Sequence, residues 1–184
     1  NPDVTLYNDT IDKLLKAGKK LQNFAIMSPL CDDTSYPNYS IKNKENVNYE
    51  NIFEVESLDG YCMLINKKKI KSIFKTIKFF DENFFMYLEN VDLCKRVRDN
   101  SEKIFIVPNC RIKHFGAKAV SENYSKEVEF SRNWHWSWSK FYFSKKYKGY
   151  FYAMFESLPK FLTSLFKCGF FFIILNKYKS RIYY

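Results

Sequence analysis

Hydrophobic and polar positions predict a mixed succession of helices and strands over the first two thirds of the chain. Apolar residues at helical spacing predict three amphipathic helices, over residues 8–22, 68–77 and 88–100. Short apolar runs predict four strands, at residues 24–30, 59–67, 103–108 and 110–115. Helices and strands mixed at this density indicate an α/β or α+β layered fold.

Prolines and glycines set the expected ends of several elements. We expect the first strand to stop at Pro29, and the last two strands to be separated at Pro108 and Asn109, because proline cannot donate a backbone hydrogen bond. In the C-terminal third, Gly149 and Pro159 are expected to divide two or three helices from one another.

The last third of the chain is rich in aromatic and basic residues, and we predict that residues 121–184 form a helical, membrane-associated appendage to a domain of residues 1–120. The tryptophans of WHWSW, at 134–138, belong either to a helix that packs on the domain or to a membrane-interface belt. The apolar run 161–175 is interrupted by Lys167 and is shorter than the roughly 20 residues that span a bilayer. We therefore expect this run to lie in a membrane interface or a protein core.

Composition narrows the class of protein. A hydrophobic fraction of 46% and an aromatic fraction of 20% exclude a disordered chain. A net charge of +10 attracts anions, either nucleic acid, phosphorylated ligands or acidic lipid headgroups. The lysines are scattered and no recognised nucleic-acid module is present, so we expect no nucleic-acid partner. Five cysteines without a CxxC pair predict mostly buried, free thiols in a reducing, cytoplasmic compartment.

Three separated elements carry residues suited to catalysis or metal binding. Asp3 lies ahead of the first predicted helix, and His114 ends the last predicted strand. Glu89 and Asp92 are three residues apart in a helical pattern, so both carboxylates can face one way. Each residue also has an ordinary structural interpretation: a turn or capping aspartate, a helical ion pair between Asp92 and Arg96, and a hydrogen-bonded strand-end histidine.

The candidate residues belong to four motifs in a fixed order: NPDV, then DGYCMLINK with its helix, then FDENFFMYLENVDLCKRVR, then IFIVPNCRIKHFG. This order resembles the second half of family 2 glycosyltransferases with the GT-A fold, most closely the rhamnosyltransferase-like members that build cell-envelope polysaccharides. The resemblance covers about residues 1–116, and RNWHWSWSKFYFSKKYKG is similar in style to the C-terminal helices of these enzymes. It implies an α/β, Rossmann-like mixed sheet followed by C-terminal amphipathic helices.

The resemblance also implies a function. The chain would belong to an inverting hexosyltransferase that moves a sugar from a nucleotide-sugar donor to a polysaccharide or lipid-linked acceptor at the inner face of the membrane. Asp3 would bind a divalent cation, Mg²⁺ or Mn²⁺, with Asn1 near the ribose or the metal and His114 as a further metal ligand. One carboxylate, Glu89 or Asp92, would take the proton of the acceptor hydroxyl.

Two departures from the family pattern affect these expectations. The acidic pair of the family is replaced by Glu89 followed by Asn90, whose amide cannot accept a proton. The base would then be Glu89, which we favour, or Asp92, or the copy would lack one. The strands that bind the nucleotide would precede Asn1, so we expect a fragment of a longer protein or a truncated copy. The alternative function is a non-catalytic membrane-surface or scaffold module derived from such an enzyme.

Overall fold

The computed structural model describes residues 3–42, 47–76, 78–115 and 124–183, without the side chains of residues 125 and 126. The chain divides into two compact units. The first, which we call the sheet unit, takes its described residues from Asn1–Glu82 and Glu89–Ala119. The second, the helical unit, takes them from Asn83–Leu88 and Val120–Tyr184. A mixed α/β fold with C-terminal helices is therefore present, as predicted.

The sheet unit is built on a five-stranded mixed sheet in which β2 and β7 run parallel and the other strands are antiparallel to their neighbours. The path is β1-β7-β2-β6, and β4 pairs with β7 on the edge that also carries β1. A separate two-stranded ribbon joins β3 to β5. The strands are β1 (Val4–Leu6), β2 (Ile26–Cys31), β3 (Tyr39–Ser40), β4 (Phe53–Glu54), β5 (Ser57–Leu58), β6 (Leu64–Ile65) and β7 (Ile104–His114).

Three helices accompany the sheet and three form most of the helical unit. They are α1 (Thr10–Leu21), α2 (Lys67–Phe74) and α3 (Glu89–Asp99), followed by α4 (Ser125–Lys148), α5 (Tyr150–Ile173) and α6 (Lys177–Ile182). The side chain of Asn66 caps α2 by accepting a hydrogen bond from the Lys69 amide. Gly149, with φ of 94°, separates α4 from α5 as predicted, because glycine adopts this conformation without a steric penalty.

The core lies on both faces of the sheet, as the nearly continuous apolar character of β2 requires. On one face, Ile26 of β2 clusters with Ile104 and Ile106 of β7 and with apolar residues of α2 and α3. On the other face, the neighbouring Met27 clusters with Leu14 of α1 and with Val107 and Cys110. All five cysteines are free, and three of them are buried, as predicted.

The prolines do not end the strands where we predicted. Strand β2 continues through Pro29, and residues 103–115 contain one strand, β7, rather than two. The register between β2 and β7 shifts at this point, from Pro29 opposite Val107 to Leu30 opposite Arg111. Both prolines therefore lie at one bulge, where a missing backbone donor does not interrupt the pairing on either side.

Two further predictions were wrong. Only Leu64–Ile65 of the predicted strand 59–67 is strand, because the Asp-Gly pair at its start turns the chain and the Asp59 amide donates to the Asn38 carbonyl at 2.9 Å. The predicted division near Pro159 is also absent, since α5 continues through this residue. Pro159 is exposed, so the Phe155 carbonyl that loses its helical partner can bond to water.

Among the helices that the structure describes, none combines the length and the hydrophobicity that crossing a bilayer requires. This agrees with the expectation for residues 161–175.

Candidate functional site

The predicted metal ligands Asp3 and His114 meet at the carboxyl end of β7. His114 is the last residue of β7, at the carboxyl end of the parallel pair β2 and β7, where open α/β sheets bind their ligands. Because Val4 of β1 pairs with His114, Asp3 lies directly beside it. The Phe115 amide donates to the Asp3 carbonyl at 2.9 Å, and the Asp3 Oδ2 lies 3.3 Å from the His114 Nε2. Asn1, the other predicted donor contact, lies outside the described residues.

The end of β5 and the turn that follows it, residues 58–61, lie beside His114, and we call them the turn 58–61. The Tyr61 ring stacks on the His114 imidazole, with 4.1 Å between ring centroids and 19° between planes. The buried Tyr61 hydroxyl has no well-formed hydrogen bond within the described part of the chain, and burial beside the Cys31 thiol raises the pKa of Tyr61. Burial also raises the pKa of Asp59, although nearby His114 opposes this effect. These two residues were missed by the sequence prediction, which assigned them to a strand.

The turn 58–61 also lies against Glu89, the first residue of α3. A Cβ atom added to Gly60 would be 3.8 Å from the Glu89 Oε1 and 3.4 Å from the Asn90 Cβ. The Glu89 Oε2 is buried and has no hydrogen-bond partner among the described residues. A buried carboxylate oxygen is normally hydrogen-bonded, so an unpartnered one is available to a ligand. The structure therefore brings Asp3, His114 and Glu89 to the surroundings of one turn.

The backbone that leads into Glu89 is strained. Tyr87 and Leu88 have φ angles of 68° and 64°, a left-handed conformation that bulky residues rarely adopt. Two such residues in succession store free energy, on the order of 1–3 kcal/mol each, and conformations of this kind concentrate at functional sites.

Within the helical unit, α4 holds the segment 83–88 that contains these strained residues. The Ser139 hydroxyl donates to the Met86 carbonyl at 2.6 Å, and the Arg132 Nε donates to the Tyr87 hydroxyl at 3.0 Å. The Trp136 ring packs edge-on against Tyr87, with centroids 5.4 Å apart. WHWSW is therefore helical, and these contacts restrain the segment 83–88.

Asn90 has a structural role that its sequence position did not reveal. Its side-chain amide donates a hydrogen bond of 2.6 Å to the Leu58 carbonyl and so ties the start of α3 to the turn 58–61. An aspartate at this position could not donate that bond when ionised. Asparagine at position 90 thus has a physical explanation in this chain.

We expect Asn90→Asp to lower the free energy of unfolding by about 1–3 kcal/mol, because the carbonyl of the buried Leu58 would lose its donor and face a carboxylate. Chemical denaturation at neutral pH measures this difference. Asn100→Asp is the matched control, since the Asn100 side chain also donates to a carbonyl, that of Arg96, but is exposed to solvent. Equal losses in the two variants would contradict the role assigned to Asn90.

Asp92 does not lie free on the face of α3. Its side chain is completely buried, and its Oδ2 accepts a hydrogen bond from the Arg96 Nε at 2.7 Å. The Arg96 guanidinium also donates to the Phe79 carbonyl and lies 4.4 Å from the centre of the Phe74 ring. The i,i+4 ion pair that the spacing predicted is therefore present, and it occupies Asp92 inside the core.

The Asp3–His114 pair offers one carboxylate and one imidazole to a cation. Within the described ranges, no group of three or more histidine, cysteine, aspartate or glutamate side chains could hold a metal ion. Mg²⁺ is commonly bound through one or two carboxylates together with substrate phosphates and water. Two protein ligands at the carboxyl end of β7 therefore fit a cation that arrives with a phosphorylated ligand, and do not form a self-sufficient cage.

Comparison of the sequence with known proteins does not assign a family or a function to the chain. No protein-family model matches the chain, and no curated protein is significantly similar to it. The glycosyltransferase resemblance stays a prediction, and the function must be argued from the site itself.

Proposed function

We propose that this chain, by itself or within a longer enzyme, transfers a sugar from a nucleotide-sugar donor to a polysaccharide or lipid-linked acceptor with inversion of the anomeric configuration. We also propose that its mixed sheet is a variant of the GT-A fold. The observation that supports this proposal most strongly is the placement of Asp3, His114 and the unpartnered Glu89 carboxylate around the turn 58–61. These residues lie near the carboxyl ends of the parallel strands β2 and β7, and this end of a sheet suits a nucleotide ligand.

Glu89 is the proposed base. The acceptor hydroxyl oxygen forms a bond to the anomeric carbon while the bond from that carbon to the diphosphate oxygen breaks. Glu89 accepts the hydroxyl proton, and attack from the side opposite the leaving group inverts the anomeric configuration. Glu89 is preferred to Asp92 because Asp92 is fully buried and hydrogen-bonded to Arg96, whereas the Glu89 Oε2 has no partner in the described part of the chain.

Asp3 and His114 are the proposed ligands of Mg²⁺ or Mn²⁺. The bound cation would offset the negative charge that develops on the leaving diphosphate. Without it, the two side chains remain in contact, and Tyr61 stacked on the imidazole fixes the plane of the His114 ring. We propose that the reaction takes place at the inner face of the membrane, because the acceptors that the resemblance implies are attached to lipid.

Calorimetric titration of the full-length protein with UDP, dTDP, GDP or CDP in the presence of Mn²⁺ tests the donor site. We expect one of these nucleotides to bind, and Asp3→Asn to weaken its metal-dependent binding at least about tenfold, because a direct ligand is removed. Asp12→Asn, on the exposed first turn of α1, is the matched control and should bind normally.

The result that would overturn the proposal is the absence of metal-dependent binding for all four nucleotides, together with no hydrolysis of the corresponding nucleotide-sugars. The non-catalytic membrane-surface or scaffold module would then be the better account.

A further inference from the structure

The helix α5 turns its apolar side outward. Its inward side, toward α4 and α6, includes small residues and the half-buried Phe171: Ala153 is buried, and the Cys168 carbonyl accepts a hydrogen bond of 3.1 Å from the Ser180 hydroxyl of α6. The opposite side carries large apolar side chains at helical spacing, all exposed. We call these residues the apolar strip: Phe151, Phe155, Leu158, Leu162, Leu165, Phe166 and Ile173.

The apolar strip is too extensive for an ordinary surface facing water. Phe155 is 75% exposed and Ile173 is 78% exposed, and they lie near opposite ends of a 24-residue helix that is about 36 Å long. Contiguous apolar patches larger than a few hundred Å² are rare on soluble monomers and mark interaction sites. Burying several apolar side chains of this size stabilises a complex, so an occupant of the strip would be bound firmly.

The net charge of the segment that contains the apolar strip indicates which kind of surface binds to it. Residues 140–184 contain nine lysines and arginines and a single acidic residue, Glu156, so this segment carries +8 of the net charge of +10. Lys160 and Lys167 lie on the side of α5 away from the strip, with the Lys167 Nζ 4.8 Å from the centre of the Tyr183 ring, and the exposed basic residues of α6 follow α5 in the chain. A second copy of the chain would bring the same positive charge to the interface, whereas an anionic lipid surface supplies the opposite charge.

We propose that α5 lies in the interfacial layer of a membrane that contains anionic phospholipid. The apolar strip enters the boundary between headgroups and acyl chains, and the net positive charge of residues 140–184 attracts the segment to the lipid phosphates. A helix that lies in the interface plane needs no span of the bilayer, which agrees with the absence of a spanning helix among the described residues. This inference depends on the helical unit and not on sugar transfer.

Flotation of the full-length protein with phosphatidylcholine vesicles, with and without 30% phosphatidylglycerol, tests the proposal. We expect binding to the anionic vesicles at low salt, and weaker binding in high salt or to phosphatidylcholine alone, because exposed charges are screened by ions. The double variant Leu158→Ser/Leu162→Ser should reduce binding at least about tenfold, which corresponds to roughly 1.4 kcal/mol. Both side chains are exposed, so the variant should fold normally.

The matched control is Ile11→Ser/Leu15→Ser, which also changes two exposed apolar residues four positions apart, but on α1. It should float like the unmodified protein. Unchanged binding by the α5 variant, or equal binding to neutral and anionic vesicles, would overturn the proposal. The proposal would also be overturned if the unmodified protein were a dimer that does not float and the α5 variant were a monomer, since a second copy would then cover the strip. Asp3→Asn should float normally, which separates this test from the test of the donor site.

Discussion

Replacing Glu89 with Gln is expected to lower the turnover number for sugar transfer about 100- to 10,000-fold, the usual contribution of a positioned general base. The amide keeps the shape of the side chain but cannot accept the hydroxyl proton. The measurement is the steady-state rate of the full-length protein with the donor and acceptor that it uses. The Michaelis constant for the donor should change little, because the role proposed for Glu89 concerns the acceptor hydroxyl.

The stability of the same variant distinguishes a catalytic role from a structural one. The Glu89 Oε2 has no hydrogen-bond partner among the described residues, so Glu89→Gln should leave the free energy of unfolding unchanged or raise it. Glu50→Gln, at an exposed position, is the matched control and should retain full activity. A fully active Glu89→Gln variant would contradict the role of Glu89 as base.

The second large effect is expected at Arg96. Arg96→Met should lower the free energy of unfolding by about 3–5 kcal/mol, because it removes the guanidinium that pairs with the completely buried carboxylate of Asp92. Lys95→Met is the matched control: Lys95 also forms an i,i+4 ion pair, with Asp99, but the Asp99 side chain is 51% exposed. We expect a loss of no more than about 0.5 kcal/mol there. Urea denaturation at pH 7 measures both.

The double variant Asp92→Asn/Arg96→Met tests the cause of that loss. If the cost comes from losing the charge pairing between Arg96 and the buried Asp92 carboxylate, neutralising Asp92 should recover part of the stability that Arg96→Met removes. Similar losses in Arg96→Met and Lys95→Met, or no recovery in the double variant, would contradict this account. The contact between the Arg96 guanidinium and the Phe74 ring sets an upper limit on the recovery, since the double variant also lacks it.

Several features of the protein were predictable from local sequence. The helical spacing of apolar residues placed α1 within two residues of its observed bounds, and the four-residue separation of Asp92 and Arg96 predicted their ion pair. Glycine at position 149 marked the break between α4 and α5. These features depend on backbone geometry and side-chain spacing within a few residues, which the sequence displays directly.

The tertiary structure alone decided the arrangement of the site. Tyr61 stacks on His114, Asp3 lies beside the same imidazole, and Asn90 donates to the Leu58 carbonyl, although each pair is far apart in sequence. The continuation of β7 through Pro108 likewise depends on a bulge that forms only opposite β2. Such contacts depend on how separate elements pack, and the spacing of residues along the chain does not predict that packing. The exposure of the apolar strip on α5 became visible for the same reason: periodicity identifies an apolar face, but only the packed helices show which side of α5 remains uncovered.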